Sequence, residues 1–445
     1  MKSYLIILLF SISYLSSFSQ EKNSFSLTEA QKFALENNYQ KVNAENDLLI
    51  AKKKVWETTG IGLPQVTAEA KFQNFIELPT TLVPASTFDP TAPSDQYAEL
   101  KFGTDYNTTA SITASQLLFD GSYLVGLKAS RVYKEYAEKN VAKTELQVKE
   151  DVGQAYFLVL VAEENKKILS EVAQTTTKLL DETIRIYEEG LIEEQSVDQL
   201  KLTLNDINNS LAEADRQIAI SKNLLKFQIG FDINNEIVLT DKIDALLAFT
   251  DSENSLTSNF DFNNHVEFQS IKVNERLMKL NFNKEKFSFA PSVAAFFNYQ
   301  KQNMSNQFDA FSGGKWYPQT LWGISVSLPI IAGGSRLAKT GQAKVEYLKA
   351  QTNSKQVEQS LILQAQKSRS EYISALSIYY NQKDGLALAE KINNQAIKKY
   401  NEGIISSLNL SQTQNQYLES EGKYIKSLLD LFNAKSNLNK ALGTN

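Results

Sequence analysis

The sequence predicts a chain of mixed α and transmembrane β class, in which very long coiled-coil helices join amphipathic strand hairpins. Three observations predict it. Landmarks recur in the same order in each half, two proline-free stretches each run 66 residues, and four segments carry apolar residues at every second position.

The chain begins with Lys2, an apolar run from Tyr4 to Leu15, and then Ser17-Phe18-Ser19. This pattern predicts a secretory signal over residues 1–19, cleaved near Ser19. With no cysteine among 445 residues there is no disulfide, no thiolate metal site and no thiol for a lipid anchor. Removing the signal takes the net charge from -5 to about -6, which offers no basic field for nucleic acid. No later segment has the 18 or so consecutive apolar residues of a membrane helix, so any crossing of a bilayer falls to β-strands.

The duplication predicts a first structural repeat over 20–230 and a second over 231–445. Tyr187 and Gly190 in "YEEGLIEEQSVDQL" match Tyr400 and Gly403 in "YNEGIISSLNLSQT" at an offset of 213, and Gly230 matches Gly443 at the same offset. "LLFDGS", ending at Ser122, matches "PIIAGG", ending at Gly334, and Pro64 matches Pro291.

A helix is expected over Leu27 to Gly60, followed by a strand hairpin over 64–119. In its first strand Val66, Ala68, Ala70 and Phe72 face one way and Thr67, Glu69, Lys71 and Gln73 the other. Its second strand alternates Ala110, Ile112 and Ala114 with Thr109, Ser111 and Thr113. After a second helix, Phe262 to Ser288, the hairpin over 291–331 repeats the pattern with Val293, Ala295, Phe297 and Tyr299, then Trp322, Ile324, Val326 and Leu328. Strands of about ten residues span a bilayer when tilted. The loops between them, Glu77 to Asp105 and Lys301 to Thr320, are polar, with Phe75, Tyr106, Tyr299, Trp316, Tyr317 and Trp322 near their ends, as at a membrane interface.

Helical hairpins are expected over 122–230 and 335–443. The outgoing helices, Ser122 to Tyr187 and Ser335 to Tyr400, are each about 100 Å long. Their returns carry heptads: Val197, Leu204, Leu211, Ile218 and Leu225 with Leu200, Ile207 and Ala214, mirrored by Leu410, Tyr417, Tyr424, Leu431 and Leu438 with small residues at d. The lone His265 has no second histidine at ligand spacing and reads as a polar surface residue. Gly121 to Gly126 lacks the Gly-Lys-Ser/Thr of a phosphate loop. No enzyme, no metal and no cofactor is expected.

The ordered landmarks, above all "LLFDGS", "PIIAGG", the two Tyr-x-Glu-Gly turns, "LKFQIG" and "LNKALG", resemble the TolC-like outer-membrane efflux protein family from about Leu27 to Gly443. The resemblance implies a homotrimer whose chains each give four strands to a 12-stranded barrel in outer-membrane lipid, with a long α-helical coiled-coil barrel continuing through the periplasm. It implies a passive export channel of a tripartite efflux or type I secretion system, serving an inner-membrane transporter directly or through a periplasmic adaptor protein. Docking tips then fall on Tyr187, Gly190, Leu191, Ile192, Tyr400, Gly403, Ile404 and Ile405. A tunnel constriction falls on Ser196, Gln199, Asn409 and Gln412, where some members carry acidic residues. Strand-to-helix turns fall on Pro64, Gly121, Pro291, Gly333 and Gly334. The alternative is a secreted coiled-coil structural or adhesive protein whose hairpins pack on its own helices.

Overall fold

The computed structural model describes residues 23–93, 95–248, 260–310 and 312–443; the expected signal lies outside the described residues. The chain divides into two compact units, one of residues 1–46, 139–269 and 357–445, the other of 47–138 and 270–356. Each draws on both halves of the sequence.

The second unit holds a four-stranded antiparallel sheet of order β2-β5-β7-β8, with β2 Gln65–Asn74, β5 Tyr106–Asp120, β7 Ser292–Ser305 and β8 Trp316–Ser327. Both expected hairpins form, and β5 pairs with β7 to join them. Two corrections concern the loops. Inside the first, β3 Thr80–Pro84 and β4 Tyr97–Lys101 make a separate ribbon. The second shrinks to 306–315, because the polar ends of β7 and β8 stay in the ladder. Gln302 there donates to Asn107 Oδ1 at 2.6 Å, so amides that read as loop residues are satisfied across strands.

The long helices α3, Gly121–Glu188, and α7, Ser335–Asn401, run 68 and 67 residues without interruption. Their returns, α4 Glu194–Ile229 and α8 Ser407–Leu442, start two residues later than Ile192 and Ile405, where the sequence pattern places the start of each return. In α8 the late start is set by Ser406, whose Oγ accepts from the Asn409 amide and so becomes the N-cap.

The expected single helix from Leu27 is broken. It forms α1, Leu27–Asn37, and α2, Tyr39–Ile61, with Asn38 extended at ψ 132° between them. Asn38 Oδ1 caps the Gln40 and Lys41 amides at 2.8 and 3.2 Å, and its Nδ2 donates to the Gln228 carbonyl at 2.6 Å. The side chain thus replaces the hydrogen bonds that the break removes. The helix expected from Phe262 likewise begins as a 3-10 turn, Phe262–Asn264, before α6, Val266–Phe287.

His265 corrects the surface reading. It is buried between these two elements, its Nδ1 accepting from the Glu267 amide at 3.3 Å and its Nε2 lying 3.0 Å from the Lys440 carbonyl. With the proton on Nε2, one ring caps the start of α6 and the end of α8.

In the first unit β1, Ser24–Phe25, pairs in parallel with β6, Val238–Leu239, beside α1 and the short α5, Ile243–Ala248. Their core gathers Phe25, Ala30, Ala34, Val152, Tyr156, Leu225, Ile229 and Phe231. The heptads of α4 bury most deeply along Leu200, Ile207, Ala214 and Ser221; Leu204, Leu211 and Ile218 are only half-buried.

Candidate functional site: an amphipathic sheet and two helix tips

The strand registers carry one apolar face across all four strands. Val66, Ala114, Phe297 and Trp322 make one row and Ala68, Ile112, Tyr299 and Thr320 the next. Lys301 is the only charged side chain on that face. Toward one end, where Phe72 opens the row that ends at Trp316, the rings of Phe72, Tyr106 and Phe308 cluster with centroids 5.5 to 6.2 Å apart. The opposite face is polar, with the row Glu69, Ser111, Gln300, Gln319 bonded by amides: Gln300 donates to Gln319 at 2.5 Å and Asn298 to Thr113 at 2.7 Å.

Among the described residues nothing covers the apolar face. Trp322 is 78% exposed, Val66 68% and Ile324 59%. A soluble hairpin would bury this face on its own core. The outer strands β2 and β8 also leave one edge unpaired each.

The strand-to-helix turns differ between the halves. Pro64 and Pro291 each precede a strand as expected. Gly121 opens α3 directly after β5, with Asp120 Oδ1 accepting from the Tyr123 amide at 2.9 Å and Ser122 Oγ at 2.6 Å. In the second half Pro329 ends the ladder, and Gly333 and Gly334 take φ of 55° and 78° before α7. The first turn carries neither Pro329 nor this glycine pair and is correspondingly tighter.

At the other end of the long helices, Gly190 and Gly403 have φ of 75° and 73°. The Gly190 and Leu191 amides donate to the Tyr187 and Ile186 carbonyls, and the Gly403 and Ile404 amides to those of Tyr400 and Lys399. Both turns are therefore Schellman motifs, closed by glycine in the left-handed region. Leu191 and Ile404 project into solvent, whereas Ile192 and Ile405 are half-buried. The two tyrosines part ways: Tyr400 packs in the tip core of Leu179, Leu180, Val197, Leu200 and Leu410 and meets Thr183 Oγ1 at 3.2 Å, while Tyr187 is exposed.

The four constriction residues do not gather within the chain. Ser196 and Gln199 both meet Ser407 Oγ at 3.2 Å, between α4 and α8. Asn409 and Gln412 are exposed on α8. Sequence reasoning missed Ser407, Thr203 and Ser411, the last two 3.2 Å apart. Their only advance signal is a small hydroxyl at helical spacing beside the turn.

A chain of this kind, with an amphipathic β-sheet and paired long helical hairpins, has the fold of the outer-membrane channels. The outer membrane efflux protein family model matches residues 264–444. Outer membrane protein TolC of Vibrio cholerae is 22% identical over 339 residues, 75% of this chain and 73% of that protein. The structure of CusC superposes with a TM-score of 0.73 at 15% identity, over 94% of this chain and 92% of that one. The CmeC outer membrane channel of Campylobacter jejuni gives 0.71 at 16%, over 94% and 85%. VceC, the outer membrane protein of Vibrio cholerae, gives 0.70 at 16%, over 94% and 96%. Over residues 264–444 the chain thus matches that family, and its fold is that of these outer-membrane channels.

Proposed function

We propose that the chain is the outer-membrane channel component of a tripartite efflux or type I secretion system, and that it carries passive export without an enzymatic step of its own. The observation that carries this reading is the uncovered apolar face of the four-stranded sheet. The face repeats along β8 from Trp316 to Val326, which is roughly 33 Å of strand and, tilted, roughly the 25 Å apolar band of an outer-membrane barrel. Lipid satisfies such a face; it cannot satisfy the open edges of β2 and β8, whose backbone groups need partners from other copies. A homotrimer closes them as a 12-stranded barrel, with the amide-rich face lining the lumen and the helices reaching into the periplasm.

The exposed tips Leu191 and Ile404, held by Gly190 and Gly403, suit docking of a periplasmic adaptor protein that links the channel to an inner-membrane transporter. Tyr187, Ile192, Tyr400 and Ile405 support that surface. Asn409 and Gln412, exposed on α8, are then the constriction residues that face the lumen, with Ser196 and Gln199 bracing α8 behind them. Cargo follows from the transporter, because a polar lumen selects little.

The test is fractionation followed by planar-bilayer recording. A heat-modifiable trimer in the outer-membrane fraction that conducts ions is expected; a detergent-free soluble protein without conductance would return the secreted coiled-coil reading.

A further inference from the structure

Helix α8 buries a stripe that its counterpart in the first half leaves in water. Ser407, Gln414, Glu421, Leu428 and Lys435 fall seven residues apart, and each is less than a tenth exposed. Moved back by 213, the stripe becomes Glu194, Lys201, Asn208, Asp215 and Lys222, of which the first four are exposed and the last half-buried. A duplicated helix has therefore been turned into a buried one at positions of which four of the five remain polar.

The middle of the stripe faces α3. Gln414 Nε2 donates to Thr176 Oγ1 at 3.3 Å, and Leu428 shares an apolar cluster with Val161. Glu421 sits between these two contacts at 4% exposure, with Oε1 lacking a hydrogen-bond partner, as does Oε1 of Gln414. Tyr417, one turn earlier on α8, feels the charges of Glu421, of Glu171 on α3 and of Glu390 on α7, so the carboxyl shares its neighbourhood with other acids. Two residues along α8, Lys423 pairs with Glu419, and on α7 Lys383 lies over the Tyr379 ring. A carboxylate in such a place loses its water and gains no counter-charge, so the site accepts only the neutral acid.

We propose that Glu421 is a proton-operated lock, its neutral carboxyl holding α8 against α3 and its ionisation releasing that stretch of α8 toward water. Burial pushes the carboxyl up to about 7, so the lock engages at mildly acidic pH and disengages at mildly alkaline pH. Beyond the titration each pH unit shifts the balance about tenfold toward the released state. In the channel reading, on which this consequence rests, release widens the inner part of the helical wall.

Amide hydrogen exchange on the full detergent-solubilised protein tests the lock, with rates over 414–428 normalised for intrinsic pH dependence. Between pH 6 and 8.5 the wild type is expected to gain at least tenfold in exchange there, and Glu421→Gln, with Glu421→Met as a second neutral variant, to gain less than twofold. A flat wild-type profile, or equal steps in wild type and variants, overturns the proposal; the wild-type profile alone decides if neither variant folds. Bilayer recording on the same samples separates the two readings. An exchange step without conductance leaves the lock standing and removes the channel, whereas conductance with a flat exchange profile does the reverse.

Discussion

Gly230 closes on the backbone of Asn37: a Cβ at position 230 would lie 2.2 Å from the Asn37 carbonyl oxygen. Its repeat counterpart Gly443 has nearly the same φ, 69° against 75°, yet a Cβ there meets only His265 Cδ2, at 3.5 Å. The same helix-ending glycine thus has two duties in the first half and one in the second. Gly443→Ala should cost about 1–2 kcal/mol, the left-handed penalty for an alanine. Gly230→Ala should cost more than about 3 kcal/mol, because it must also push α1 away from the end of α4. Thermal melting of the two variants side by side checks the difference; equal melting temperatures would mean that α1 yields freely.

The ring of His265 serves two helix ends at once, so its removal should be felt at both. His265→Ala leaves the Glu267 amide and the Lys440 carbonyl without their partner and should destabilise by about 1–3 kcal/mol. His265→Asn restores the N-cap but does not reach Lys440, and an intermediate value is expected in the same denaturation experiment. Two equal losses would assign the whole effect to the α8 end.

Of the fold, the parts legible in the sequence are those whose cause is local. Gly190 and Gly403 announce their turns because the demand for a positive φ belongs to one residue, and the sheet faces show because a two-residue period needs no knowledge of the partner strand. The break at Asn38 was hidden because it depends on the Gln228 carbonyl, 190 residues away, and the burial of His265 because its partner Lys440 is 175 residues away. Glu421 was invisible for a different reason. Glutamine, glutamate and lysine seven apart on a helix look like a wetted face, and only the packing of α3 turns that face inward. The residues expected at a constriction divide for the same reason: Ser196 and Asn409 are equivalent by offset, but Ser196 meets Ser407 of α8 whereas Asn409 is exposed.

The two faces of the sheet should respond oppositely to charge. Trp322→Lys places an ammonium in the apolar row with Phe297 and Ala114, and should cost about 2–4 kcal/mol near the middle of a bilayer, less near its surface. Gln319→Lys puts the same group on the polar face beside Gln300 and should be nearly neutral. The yield of heat-modifiable trimer in the outer-membrane fraction distinguishes them. Similar losses from both substitutions would remove the assignment of lipid to the apolar face.

At the tips, turn and surface can be separated. Gly190→Trp with Gly403→Trp forces bulky residues into the left-handed region, at about 1–2 kcal/mol each, where nothing lies within 4 Å to clash. Trimer assembly should survive and export should fall at least tenfold. Leu191→Asp with Ile404→Asp keeps both Schellman turns while removing the exposed apolar tip, and should reduce export to a similar degree through lost docking. If export persists in both double variants, the glycines cap helices and do nothing more.

Glu421 also fixes the sign of one pH dependence. Its carboxyl is raised from the ordinary 4.5 to about 7 by burial, so between those values the folded chain holds a proton that the unfolded chain has lost. Stability contributed by this residue is therefore complete below pH 4.5 and falls as pH rises through the window, by about 3 kcal/mol in all. Most salt-bridged carboxylates act in the opposite sense, losing stability as pH falls. Glu421→Gln keeps the shape and cannot ionise, so the variant should be more stable than the wild type at pH 8 and closely matched at pH 5. Chemical denaturation at the two pH values measures the crossover. A variant that is destabilised equally at both would show that the wild-type carboxylate finds a partner in the folded protein and is not held as the acid.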